Sequence, residues 1–247
     1  MFKTKMFVLA VLFAFASLAN ATDTGRLTCS VWSTMMSKGL FFNSGTFVTK
    51  GPVLMAIPEC ADKETGLYGN LFLIAPIGNF ETGKEVDVRG GRRFGAGGLD
   101  VDASVAYYHF GVGPGESMYN TWNGRMRVSH TFDVRKGLSV QPYMYLDYQY
   151  SQTLHDNDFA FAGGAVVDSK LSGLLGKPGL SVDLGGWKHT TTWAPNKGPV
   201  WSLQMSLGYQ VTKSVVFGPR FQQSWGNVED TSFKPKNMWG VFAVIGF

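Results

Sequence analysis

Four histidines, His109, His130, His155 and His189, are the side chains best suited to move a proton near neutral pH. On a strand, residues two apart share a face, so a histidine that activates a serine would show as His-x-Ser or Ser-x-His. The i+2 neighbours are Gly111, Phe132, Asn157 and Thr191, and the i−2 neighbours are Tyr107, Val128, Thr153 and Trp187. None is a serine, and Ser129-His130 sends its two side chains to opposite faces. No catalytic residue is assigned and the chain is read as a non-enzyme, with a lipid-modifying enzyme assembled from separate strands as the last alternative. His155-Asp156-Asn157-Asp158 is rich in oxygen ligands, but a short cluster with no spaced final carboxylate reads as an Asx turn. No metal or other cofactor is therefore expected.

Cys29 and Cys60 are the only two cysteines. They fall near the start of one predicted strand and near the end of the next. Antiparallel pairing brings both to one rim, which favours a disulfide in an oxidising compartment.

Charge is the most informative chemistry. One predicted strand carries Glu85, Asp87, Arg89 and Arg93 on a single face, the next Asp100 and Asp102, and the third Arg125, Arg127 and Asp133. An acidic stripe thus lies between two arginine stripes, and Lys50, Asp147, Asp168, Lys170, Asp183 and Arg220 extend the same polar set. Fixed charges of both signs facing a narrow aqueous passage orient polar solutes. The roughly balanced signs argue against strong ion selectivity, and a salt-bridged plug is the competing reading. A two-residue turn at Ala96-Gly97 would set Arg93 opposite Asp100.

The elements that position these charges follow from strict alternation. Apolar residues hold every second place in Leu99–Phe110, Asn120–Val134, Leu138–Tyr150 and Val200–Thr212. Looser alternation marks Leu27–Thr34, Thr46–Ile57, Leu67–Pro76 and Phe159–Leu175, and Leu180–Trp193 loses phase at Gly185-Gly186, as a bulge would make it do. With Glu85–Phe94, Ser214–Trp225 and Met238–Phe247 the total is about 12 strands, with a range of about 10–14. Short links alternate with long ones, as periplasmic turns alternate with external loops in outer-membrane barrels. Pro58–Gly66 is the exception, too long for a tight turn. Trp122, Tyr150, Trp193, Trp201, Trp225 and Trp239 recur near strand ends, as an interfacial girdle requires.

Lys3 and Lys5, the apolar run Met6–Ala16 and the small-x-small site Ala19-Asn20-Ala21 read as a signal peptide over residues 1–21. Its removal takes away two lysines and no acid, lowering the formal net charge from +4 to +2. That balance points to no nucleic-acid partner. Residues 22–247 are read as one domain, and with no later apolar run long enough for a spanning helix, a membrane passage must use strands. In hydrocarbon that means a closed barrel, since open edges leave backbone groups unpaired. Trp239, Val241, Ala243, Ile245 and Phe247 form one apolar face that ends on an aromatic, the pattern of an assembly signal read by the barrel-insertion machinery.

The stretch Glu85-Val86-Asp87, Gly90-Gly91, Gly97-Gly98-Leu99-Asp100-Val101 and Tyr107-Tyr108 resembles TorF-type proteobacterial porins. The resemblance implies an outer-membrane β-barrel and a porin role, with no particular solute. The expectation is an all-β, antiparallel transmembrane β-barrel, exported through the periplasm to the bacterial outer membrane and embedded in its lipid. It would act as a narrow channel for small polar solutes. A non-conducting barrel that works through its surface loops is the alternative, with the apolar segment Gly39-Leu40-Phe41-Phe42 either folded inward or meeting a partner.

Overall fold

The computed structural model describes residues 26–37, 39–42, 45–48, 52–76, 84–111, 119–151, 156–171, 178–189, 200–226 and 237–247. The leader, Lys50, His155 and Trp193 lie outside the described residues. Strands β1 (Leu27–Met36), β4 (Val53–Asp62), β5 (Leu67–Pro76), β6 (Lys84–Ala96), β7 (Leu99–Gly111) and β8 (Tyr119–Ser129) form half the wall. The other half is β10 (Leu138–Ser151), β11 (Asp156–Lys170), β12 (Gly179–His189), β13 (Val200–Thr212), β14 (Val215–Gly226) and β15 (Asn237–Gly246). Each pairs antiparallel with its neighbour, and β15 returns to β1 from Ser30↔Gly246 to Met36↔Gly240, closing a barrel of 12 strands. The short strands β2 (Gly39–Phe42) and β3 (Gly45–Val48) make a side hairpin, and β9 (Phe132–Arg135) pairs only with the start of β10.

The turn chemistry corrects three sequence readings. The β4–β5 link is short because β4 runs on to Asp62, whose Oδ1 accepts the Glu64 and Thr65 backbone N–H groups at 2.9 and 3.1 Å. Gly66 completes that turn at φ 71°. The β6–β7 turn falls on Gly97-Gly98, not Ala96-Gly97, since hairpin twist needs positive φ at both central positions and two glycines supply 60° and 82°. Arg93 therefore sits opposite Asp102 rather than Asp100, and Arg89 opposite Ala106. Through Gly185-Gly186, β12 keeps unbroken register with both neighbours, so there is no bulge.

Two others concern β11 and β8. Asp156, Asn157 and Asp158 open strand β11 instead of forming an Asx turn, and the fifteen-residue strand takes them up because Gln149, Tyr150 and Ser151 continue β10 opposite them. The predicted strand Asn120–Val134 is interrupted at His130-Thr131. The break leaves Asp133 on the exposed β9 extension.

The faces divide as hydrocarbon requires. Outward-facing Val88, Val105, Met144 and Phe161 are 55, 57, 65 and 55% exposed, far more than apolar side chains keep in a soluble fold. Trp122, Trp201, Trp225 and Trp239 point outward at the long-loop end of their strands, and Trp122 packs on Tyr107 at 4.9 Å between ring centres. These four rings therefore gather at one end of the outward face.

At the seam, Phe247 N–H donates to the Cys29 carbonyl (2.9 Å) and Thr34 Oγ1 to the Val241 carbonyl (2.9 Å). Trp239, Val241, Ala243, Ile245 and Phe247 share the outward face, and Trp239 and Phe247 are 64 and 49% exposed. Cys29 and Cys60 lie directly opposite one another near the turn end and are disulfide-bonded. Deleting Phe247 removes the last seam bond and the end of the apolar face together. Less heat-modifiable barrel in outer-membrane fractions, and more periplasmic degradation, are expected; an unchanged barrel band would speak against an assembly role.

Candidate functional site

Strand register decides which side chains face the lumen. Asp147 is wholly buried on the inner face of β10, so the odd residues of β10 point inward, and pairing carries that assignment round the ring. Asp87, Arg89, Arg93, Asp100, Asp102, Arg125, Arg127 and Arg220 all fall on the inward set.

Contacts link these residues into a belt. Arg93 donates two bonds to Glu59, at 2.7 and 2.9 Å, and a third to Asp102 at 3.3 Å. Its guanidinium lies 4.1 Å above the Tyr68 ring, whose hydroxyl donates to Asp102 at 2.7 Å. Further round, Arg127 lies 4.8 Å above Tyr143, whose hydroxyl donates to Asp183 at 2.9 Å. Arg220 donates to Gln204 and lies 4.7 Å above Trp32. An arginine on an aromatic face, with that aromatic's hydroxyl bonded to an aspartate, therefore occurs twice.

Glycines make this reach possible. Each tyrosine crosses an intervening strand to meet its aspartate. A Cβ on Gly91 would stand 2.7 Å from the Tyr68 ring, and one on Gly185 would collide with the Tyr143 hydroxyl. The tyrosines lie flat in notches that any side chain would fill.

Arg125 and Asp147 form the tightest pair, with two bonds of 2.6 Å and Arg125 stacked 4.7 Å over Tyr145. Arg89 instead donates to the Tyr108 hydroxyl at 3.0 Å, and Arg127 to Gln141 at 3.4 Å. Buried polar atoms of Asp87, Asn123, Arg127, Tyr145 and Arg220 have no protein partner. Each costs about 1–3 kcal/mol while it lacks a partner. The β15–β1–β4–β5 side differs: Met36, Val53, Met55, Ile74 and Met238 form an inward apolar cluster with Trp32, Ile57 and Phe72 packed on it.

Glu59, Tyr68, Tyr143, Tyr145 and Trp32 are functional positions that alternation alone did not single out. Tyr143 and Tyr145 share the odd face of β10 with Asp147, and that shared phase was the available signal for those two. Of the histidines, His109 faces outward and the ring of His130 donates through Nδ1 to the Gly98 carbonyl at 2.6 Å. Among the described residues, no group of three or more His, Cys, Asp or Glu is placed to hold a metal ion.

No family model and no curated protein matches the sequence. Solved structures do match in fold. The NanC porin aligns with a TM-score of 0.56 at 11% identity, over 88% of this chain and 98% of that one. The KdgM porin aligns at 0.53 and 10% identity, over 88 and 99%, and has also been solved in complex with disordered oligogalacturonate. The β domain of the Bordetella autotransporter BrkA aligns at 0.53 and 11%, over 89 and 99%. The chain has the closed antiparallel barrel fold of outer-membrane porins, and at these identities the likeness is one of fold.

Proposed function

We propose that this chain is an outer-membrane channel that passes small polar solutes through its lumen. The observation that carries the reading is the path of the belt. The hydrogen bonds and ring stacks of Arg93 with Glu59, Asp102 and Tyr68, of Tyr143 with Asp183 and of Arg220 with Gln204 and Trp32 join strands no more than two places apart in a ring of 12, so these charges follow the wall instead of bridging the bore. A plug would need contacts between opposite walls. The unpartnered buried polar atoms support a wet interior, and the likeness of Glu85–Tyr108 to TorF-type porins and the fold shared with NanC and KdgM point the same way. The described inward set holds nine acids (Glu59, Glu85, Asp87, Asp100, Asp102, Asp147, Asp158, Asp168, Asp183) against six bases (Arg89, Arg93, Arg125, Arg127, Lys170, Arg220). That excess favours a mild preference for cations.

Planar-bilayer recording of refolded protein tests the reading. Discrete conductance steps with a small cation preference are expected. A barrel that folds but never conducts would favour action through the surface loops.

A further inference from the structure

The inward apolar cluster has no role in the charged belt, and its burial is out of keeping with an open aqueous bore. Met36, Val53 and Met238 stand at the external ends of β1, β4 and β15, turn towards the lumen and are 0% exposed. Apolar side chains lining open water would keep part of their surface wet. On the other face of the same strands, Met35 and Trp239 are 45 and 64% exposed. The cover over this sector therefore lies on its inner side.

The backbone shows which element reaches that sector. The β2–β3 hairpin belongs to the segment between β1 and β4, yet β2 packs against β14, which lies beyond β15 in the wall. To touch β14 the hairpin must cross β15, and β15 is covered on its inner side. Gln222 and Ser224, the inward residues at the external end of β14, are buried too, while the outward Trp225 beside them is exposed. Ser37 fixes the start of the crossing. Its N–H donates to the Trp239 carbonyl at 2.9 Å, and its hydroxyl accepts from the Trp239 N–H at 3.3 Å. A two-stranded hairpin is marginal by itself, so an apolar seat is what would hold it there. On the facing wall, the inward residues Thr121, Asn123 and Ser151 in the external half of β8 and β10 are buried as well. Nearer the turns, Arg93 and Asp102 keep 48 and 26% of their side chains exposed. The external mouth is thus the narrow part of the bore.

We infer that the β2–β3 hairpin folds into the external mouth, seats on the Met36–Val53–Met238 cluster and sets the size limit for solutes that enter. Of the two roles open to Gly39-Leu40-Phe41-Phe42, this is the inward one. The size limit rests on the channel reading, whereas the seat of the hairpin does not.

The test compares full-length refolded barrel with a form in which residues 39–48 are replaced by a short Gly-Ser linker, folding being checked by heat-modifiable mobility. Dilute hydrogen peroxide converts accessible methionines to sulfoxides, read by peptide mass spectrometry. Met55 and Met238 should oxidise roughly tenfold faster once the hairpin is replaced, the protection a locally opening cover confers. Met126 and Met144, on the outward face, should change little. In planar bilayers the replaced form should conduct more and admit larger polyethylene glycols. Met238→Gln, which sets a polar amide in the seat with the hairpin intact, should shift both readings the same way. Conductance from the replaced form alone would also support the constriction. Unchanged oxidation on replacement would show that the hairpin is not the cover. Altered oxidation with an unchanged conductance and polymer limit would show that it does not narrow the passage. Either result overturns the inference. No conductance from any form would strike the channel reading and the size limit together, and the oxidation rates would then decide the seat alone.

Discussion

Replacing Asp147 with alanine is expected to cost the folded barrel about 3–5 kcal/mol in a urea titration, the usual penalty for stranding a buried charge. Asp147 is wholly buried and accepts both of its 2.6 Å bonds from Arg125, whose own side chain is 18% exposed. With the carboxylate gone, the guanidinium clamped against Tyr145 loses both of these charge-assisted bonds. Arg93→Gln is the control. Arg93 has more partners, Glu59 and Asp102, but its side chain is 48% exposed, so water screens those bonds and the loss should stay near about 0–1 kcal/mol. The double change Arg125→Met with Asp147→Leu should recover most of the single-variant loss, because the isolated charge is then gone as well. Equal losses for Asp147→Ala and Arg93→Gln would show that burial does not set the strength of these pairs.

Alternation was legible where the two faces differ in chemistry. On β7, β8, β10 and β13 the inward side is polar and the outward side apolar, so period two stands out. On β1, β4 and β5 it fades because both faces are apolar: Met36, Val53, Met55 and Ile74 turn into the lumen while Met35, Leu54 and Leu73 turn out. On β11 it fades for another reason. Gly163 and Gly164 point to opposite faces and carry no signal, yet Gly164 belongs to the notch beneath Tyr143.

Register was less legible than strand identity. Moving one turn from Ala96-Gly97 to Gly97-Gly98 shifts the pairing by two residues and keeps every face assignment, so the hydrophobic pattern cannot detect it. The choice rests on backbone φ at two glycines. The belt was out of reach for a related cause. Tyr68 meets Asp102, and Tyr143 meets Asp183, across an intervening strand, so the partners are 34 and 40 residues apart and depend on register at two interfaces.

Neutralising Arg89 and Arg127 together should move the reversal potential in a salt gradient further towards cations, and by more than removing the Arg125–Asp147 pair as a whole with Arg125→Met and Asp147→Leu. The belt geometry dictates that order. Arg125 and Asp147 cancel at contact distance, so a passing ion meets only their dipole. The hydrogen bonds of Arg89 and Arg127 run to a tyrosine hydroxyl and an amide oxygen, both neutral, and their carboxylate neighbours, Asp87 and Glu59 for Arg89 and Asp183 for Arg127, act across space, so their charge is cancelled less completely than that of a contact pair. At about 5 Å such a charge acts on an ion with about 1 kcal/mol in bulk-like water and about 3 kcal/mol at an effective dielectric near 20. Each kcal/mol is roughly a fivefold change in relative permeability. Asp100→Asn with Asp102→Asn should move the potential the other way, since Arg93 then keeps Glu59 alone and the described acids fall to seven against six bases. Folding should survive the loss of Asp102, whose side chain is 26% exposed. If the wild type conducts and neither set shifts the potential, the ion path does not touch this wall.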